Sequence, residues 1–172
     1  MTDLAIALHK FRQSDKNEIE SQKMGGSIQR QYRSEIYVGG LLLSYDLMIF
    51  EPSRAPRERQ KFIDWFDAQV KWLENHEYND PSVCSESLRR LYSKLSEHFP
   101  NMNVDDEIFE AIEEAGTEKR LTDYSLGSAV IYAAFAYSVA KEAYTMIRNL
   151  AIEHKVGFFD VSSEDGEIVF PD

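Results

Sequence analysis

The chain has 172 residues, 43% hydrophobic and 28% charged, with a formal net charge of −11 at pH 7. That length suits one domain with an appendage, and the apolar content is enough for a real core. The acidic balance argues against general nucleic-acid binding, which draws most of its affinity from Lys and Arg, and the lone cysteine, Cys84, excludes an intrachain disulfide and with it a disulfide-stapled secreted domain.

The charge is uneven. Residues 1–43 carry six Lys/Arg against five Asp/Glu, whereas 44–172 carry thirteen against twenty-five. An acidic body attracts a basic partner and speeds the encounter, although acidity also serves solubility alone. No early basic segment leads into an apolar one, so no signal peptide is expected. The longest apolar run, "VGGLLLSYDLMIF", is broken by Gly39, Gly40, Ser44 and Asp46 and is too interrupted to span a bilayer. The expected location is the cytoplasm.

Residues 1–24 offer only a weak helix through Leu4, Leu8 and Phe11, and Gly25-Gly26 breaks it. Residues 1–43 therefore read as a loosely attached extension. "LLLSYDLMIF" alternates Tyr45, Leu47 and Ile49 against Asp46, Met48 and Phe50, a strand pattern stopped by "EPSRAP". Ser53 is placed to cap the next helix, with Pro56 in its first turn. In "RERQKFIDWFDAQVKWLE", Phe62, Phe66, Val70 and Leu73 share one face with Trp65 and Trp72 beside it, a broad aromatic stripe.

"NHEYNDPS" reads as a loop. Leu88, Leu91, Tyr92, Leu95 and Phe99 then mark a second helix ended by Pro100, and "NVDDEIFEAIEEAG" a short acidic one running from Asp105 to a stop at Gly116. "TDYSLGS" reads as a polar lead-in to "SAVIYAAFAY", which is apolar on both parities as a central strand would be. Ser138 caps a last helix with Ala140, Tyr144, Ile147 and Ala151 as its stripe, and a hairpin closes the chain. The order is β-α-α-(α)-β-α-β-β: an α+β fold with a four-stranded mixed sheet, helices mainly on one face, two right-handed parallel crossovers and a final antiparallel pair.

The hairpin register decides where Asp160 points. A two-residue Asp165-Gly166 turn sets Glu164 against Glu167, which a four-residue loop from Ser163 to Gly166 avoids. Either puts Phe159, Val161, Ile168 and Phe170 on one face and Asp160 with Phe158 and Val169 on the other. Asp46 falls by the same parity beside Met48 and Phe50. A helix-free sheet face bearing two aspartates and apolar side chains is then expected, either solvated, covered by the extension, or a docking surface. Asp46, Met48, Phe158 and Asp160 are its candidate binding residues, with Asp123 and Tyr124 as candidates for a pocket at a strand end.

Motifs for chemistry are sparse. His9, His76, His98 and His154 are scattered without metal-ligand spacing, so no metal or other cofactor is expected. "DVSSEDGE" fails as a calcium loop, because its glycine is misplaced and Pro171 stands at the twelfth position. Cys84 with His76 or His98 is a weak nucleophile candidate. Asp46 and Asp160 would form a carboxylate pair only on neighbouring strands within a cleft.

"SYDLMIFEPSRAPRERQKFIDWFD", "VIYAAFAYSVAKEAY" and "VGFFDVSSEDGEIVFP" together resemble a family of small uncharacterised bacterial proteins that start just before the Tyr-Asp-Leu segment and end just after the hairpin. The resemblance covers residues 44–171. It brings no activity, and no functional residue is carried over from it. Two functions are consistent with the residues: a non-enzymatic protein-binding domain, in its narrower form an immunity-type inhibitor of a basic partner, and a small enzyme or ligand-binding domain using carboxylates at the strand ends.

Overall fold

The structure, a computed structural model, describes residues 44–171, and the chain divides at Tyr45, so that Tyr45–Asp172 is described as a unit by itself. The expectations for residues 1–43 lie outside the described residues. The elements are β1 (Ser44–Phe50), α1 (Arg59–Gln69), α2 (Glu86–His98), α3 (Asp106–Glu114), β2 (Asp123–Leu126), β3 (Val130–Ala136), α4 (Ala140–Glu153), β4 (Gly157–Asp160) and β5 (Ile168–Val169).

The α+β layout is as expected, but the sheet has five strands in the order β2-β3-β1-β4-β5. The added strand is β2, built from the "TDYSLGS" lead-in. Its alternating burial marks a short strand with Tyr124 and Leu126 turned inward. Among the described strands no hydrogen-bonded neighbours are parallel, and of the two expected parallel crossovers only the one through α4 joins parallel strands, β3 and β4, which run the same way on either side of β1. β1 pairs antiparallel with β4, and β2 with β3. The end of β1 also meets the start of β3, where Glu51 N–H donates to Ala129 O at 2.9 Å. Three α-helices separate β1 from β2, and β3 then runs beside β1 in the reverse sense.

Alternation along each strand sorts the core into two layers. On one face Leu47, Ile49, Leu126, Ile131, Ala133, Phe135 and Phe158 pack with Leu88, Leu91 and Leu95 of α2 and Ala143, Ile147 and Ala151 of α4. Those are the apolar stripes read from helical spacing. On the other face the ring of Phe50 lies 4.9 Å from that of Phe62, and Phe159 lies 5.2 Å from both Phe62 and Phe66 of α1. Each such buried ring is worth about 1.5–3 kcal/mol in area removed from water. The face expected to be free of helices is thus covered by α1, while α2 and α4 share the opposite one. Leu73, expected on the aromatic stripe, is exposed, because α1 ends at Gln69.

The caps differ from the sequence reading in two places. Glu58, not Ser53, caps α1, accepting from Gln60 N–H. A 3-10 turn at Tyr137–Val139 leads into α4, leaving its N-cap, Val139, without a side-chain hydrogen bond, so Ser138 does not cap. Gly116 stops α3 as expected, at φ 65°. Its N–H donates to Glu113 O, and that of Thr117 to Ile112 O, satisfying carbonyls the helix would otherwise leave open. α4 ends in the same bonded pattern with Lys155 at φ 55°, where glycine would be unstrained.

Gly157 faces Phe50 in the β1–β4 ladder, and a Cβ there would fall inside the Phe50 ring edge. Two residues apart, opposite outcomes are expected. Lys155→Gly should gain up to about 1 kcal/mol by relieving a left-handed residue. Gly157→Ala should lose about 1–3 kcal/mol by overpacking. Urea denaturation of both variants checks the pair, and a loss at Lys155 or a neutral Gly157→Ala would contradict this packing.

Candidate functional site

The register of β4 against β1 places the candidate residues. Leu47 pairs with Asp160, Met48 with Phe159, Ile49 with Phe158 and Phe50 with Gly157. Phe158 and Asp160 therefore share the face of Leu47 and Ile49, under α4, and Asp46 lies on the other. The sequence reading put both aspartates on one face, and the pairing corrects it. Parity within the closing hairpin was right, since Phe159 pairs with Ile168 and Phe158 with Val169. The connection is longer than four residues. β4 ends at Asp160, whose N–H donates to Glu167 O at 3.0 Å, and Val161 is no longer in the strand.

Asp160 is 5% exposed rather than solvated, and Met48 and Phe158 are 0%. Tyr124 is buried, with its hydroxyl donating to Phe99 O at 2.8 Å. Asp123 is half-buried in β2 opposite Ala134. A docking face made of these residues does not exist as a surface. Asp46 is half-buried, accepts from the Tyr132 hydroxyl at 2.7 Å, and its own N–H donates to Ser162 Oγ at 2.7 Å. Asp46 and Asp160 sit on neighbouring strands, but the sheet itself separates their carboxyl groups, so no dyad forms.

What gathers instead is a cluster at the strand end beside the first turns of α4. The Tyr45 hydroxyl donates to Asp160 Oδ2 at 2.9 Å, and the Ser163 hydroxyl donates to the same oxygen at 2.6 Å. Asp160 Oδ1 is buried and has no hydrogen-bond partner among the described residues. One helical turn away, the Tyr144 hydroxyl donates to Glu167 Oε2 at 2.7 Å, and Arg148 grips both Glu167 oxygens, Nε at 2.8 Å and Nη2 at 2.9 Å. Tyr45, Ala140, Lys141, Tyr144 and Asp160 line an open cleft of about 350 Å³.

Electrostatics follow from these bonds. Burial, and then the bond to Asp160, raises the Tyr45 phenol well above its ordinary value. The bond to Glu167, followed by burial, raises Tyr144. The Arg148 fork holds the Glu167 carboxyl below the usual range against its partial burial. Both phenols keep their protons at any physiological pH. Sequence spacing carried one part of this cluster, since Tyr144 and Arg148 stand four apart on a helix. Nothing local links either to Glu167 or to Tyr45.

The other chemical candidates are weak. Burial pushes the Cys84 thiol up to about 11, which leaves it protonated at neutral pH and a poor nucleophile. His76 is held by Glu74 Oε2 at 2.7 Å and Glu77 O at 3.0 Å, a loop clasp rather than a catalytic pair. Among the described residues no group of three or more His, Cys, Asp or Glu is placed to hold a metal ion, and no helix is long and apolar enough to cross a membrane.

Comparison with family models, curated proteins and solved structures returns no match to this chain.

Tyr45 supplies one of the two donors that offset the burial of Asp160. Tyr45→Phe should cost about 1.5–3 kcal/mol, as loss of a hydrogen bond to a charged group usually does. A loss under about 0.5 kcal/mol in urea denaturation would mean that the Tyr45–Asp160 bond does not form in solution.

Proposed function

We propose that this chain is a non-enzymatic protein-binding domain that docks a basic partner, and that its narrower role is that of an immunity-type inhibitor. The observation that carries the reading is the surface of α3 and its lead-in. Asp105, Asp106, Glu107, Glu110, Glu113 and Glu114 are all exposed there, and Ile108 is 49% exposed among them. Phe109 points the other way and is buried, fixing which side of α3 faces out.

Six carboxylates within ten residues make a field that steers a basic protein toward this helix. An exposed isoleucine in their midst offers apolar contact once the partner arrives. Catalysis by paired carboxylates loses its support, because Asp46 and Asp160 do not converge. The acidic surface lies on α3 rather than on the sheet face expected from the strand pattern.

Charge reversal tests the reading. With Asp106, Glu107 and Glu110 all changed to Lys, the fold should hold, since exposed substitutions usually stay within about 0.5 kcal/mol each. A basic protein that copurifies with the wild-type chain from its native host should bind the variant at least about tenfold more slowly. Raising the salt to about 1 M, where the Debye length shrinks to about 3 Å, should remove most of that difference. Equal association rates for both chains at low salt would contradict docking through α3.

A further inference from the structure

The cleft beside α4 has a polarity that its hydrogen bonds dictate. A tyrosine hydroxyl has one proton to donate and lone pairs to accept with. Tyr45 has given its proton to Asp160 and Tyr144 has given its proton to Glu167. Both hydroxyl oxygens in the cleft lining can therefore only accept further bonds. A ligand there must be a donor.

Charge points the same way. The Glu167 carboxylate is neutralised by the two-pronged contact with Arg148. Asp160 has no such partner: among the described residues no ion pair reaches it, Oδ2 takes both hydroxyl donors, and Oδ1 takes none. A carboxylate that is 5% exposed and without a counter-charge is costly in a folded protein. The cleft that Asp160 lines is where a cation would offset that cost. Lys141 lines the same cleft and is itself exposed, so its own ammonium is the nearest competitor for the position.

We infer that the Tyr45–Tyr144–Asp160 cleft is a binding site for a primary alkylammonium group, held by the two tyrosine oxygens over the uncompensated Asp160 carboxylate. This site is independent of the α3 surface. It selects for N–H donors, and therefore discriminates a primary amine from a quaternary one of the same charge.

The test titrates the full 172-residue chain, labelled with 15N, with butylammonium chloride, using sodium chloride at equal ionic strength as the reference. Butylammonium should shift the amides of Tyr45, Lys141 and Tyr144 saturably, and tetramethylammonium should bind at least fivefold more weakly. Asp160→Asn keeps an acceptor for Tyr45 and Ser163 but removes the charge, and should weaken butylammonium about tenfold. Tyr144→Phe removes one accepting oxygen from a half-exposed position and should weaken it several-fold, which decides the matter even if Asp160→Asn does not fold. Lys141→Met removes the internal competitor and should tighten binding. Shifts matched by sodium chloride, equal affinity for tetramethylammonium, or no weakening in Tyr144→Phe would each overturn the inference.

Discussion

The structure depends on how β1 pairs with β4. β1 sits in the middle of the five strands, and Leu47, Met48, Ile49 and Phe50 are each 0% exposed. Setting Leu47 opposite Asp160 sends Leu47, Ile49 and Phe158 to the layer of α2 and α4, and Met48, Phe50 and Phe159 to the layer of α1. A slip of one residue would turn every one of those side chains into the wrong layer. Gly157 locks the register further, because only a residue without a side chain fits beneath the Phe50 ring.

The same pairing creates the polar cluster. Asp160 is buried as a consequence of standing across from Leu47, and the chain answers with Tyr45 from β1 and Ser163 from the loop. The loop can close over Asp160 because Gly166 comes against its carbonyl, where a Cβ would collide. Arg59 Nη1 donates to the Gly166 carbonyl at 3.1 Å and ties the loop to α1. The cleft is thus a by-product of packing the sheet end against α4, given its polarity by two tyrosines whose protons point inward.

The sequence made local order legible and long-range pairing not. Helical spacing marked Leu88, Leu91 and Leu95, and unbroken apolarity marked β3, because each pattern lies within a single element. Asp46 was rightly set beside Met48 and Phe50 for the same reason. The face of Asp160 was misjudged because hairpin parity relates β4 only to β5. It says nothing of which β1 residue Asp160 meets more than a hundred positions away. β2 was missed because four residues with half-apolar alternation look like a turn until a partner strand supplies their hydrogen bonds. The tyrosine cluster was invisible for the same reason as the register, since Tyr45, Tyr144 and Glu167 meet only once the strands and α4 are in place.

Cross-strand NOEs report the β1–β4 register itself. Asp160 spends its N–H on Glu167, on the β5 side, so toward β1 the pairs Leu47–Asp160 and Ile49–Phe158 are non-hydrogen-bonded pairs, the kind in which the two backbones approach most closely. Strong Hα–Hα NOEs are expected between Leu47 and Asp160 and between Ile49 and Phe158. Hα–Hα contacts from Asp160 to Asp46, or from Phe158 to Met48, would contradict it, returning Asp160 to the face of Asp46.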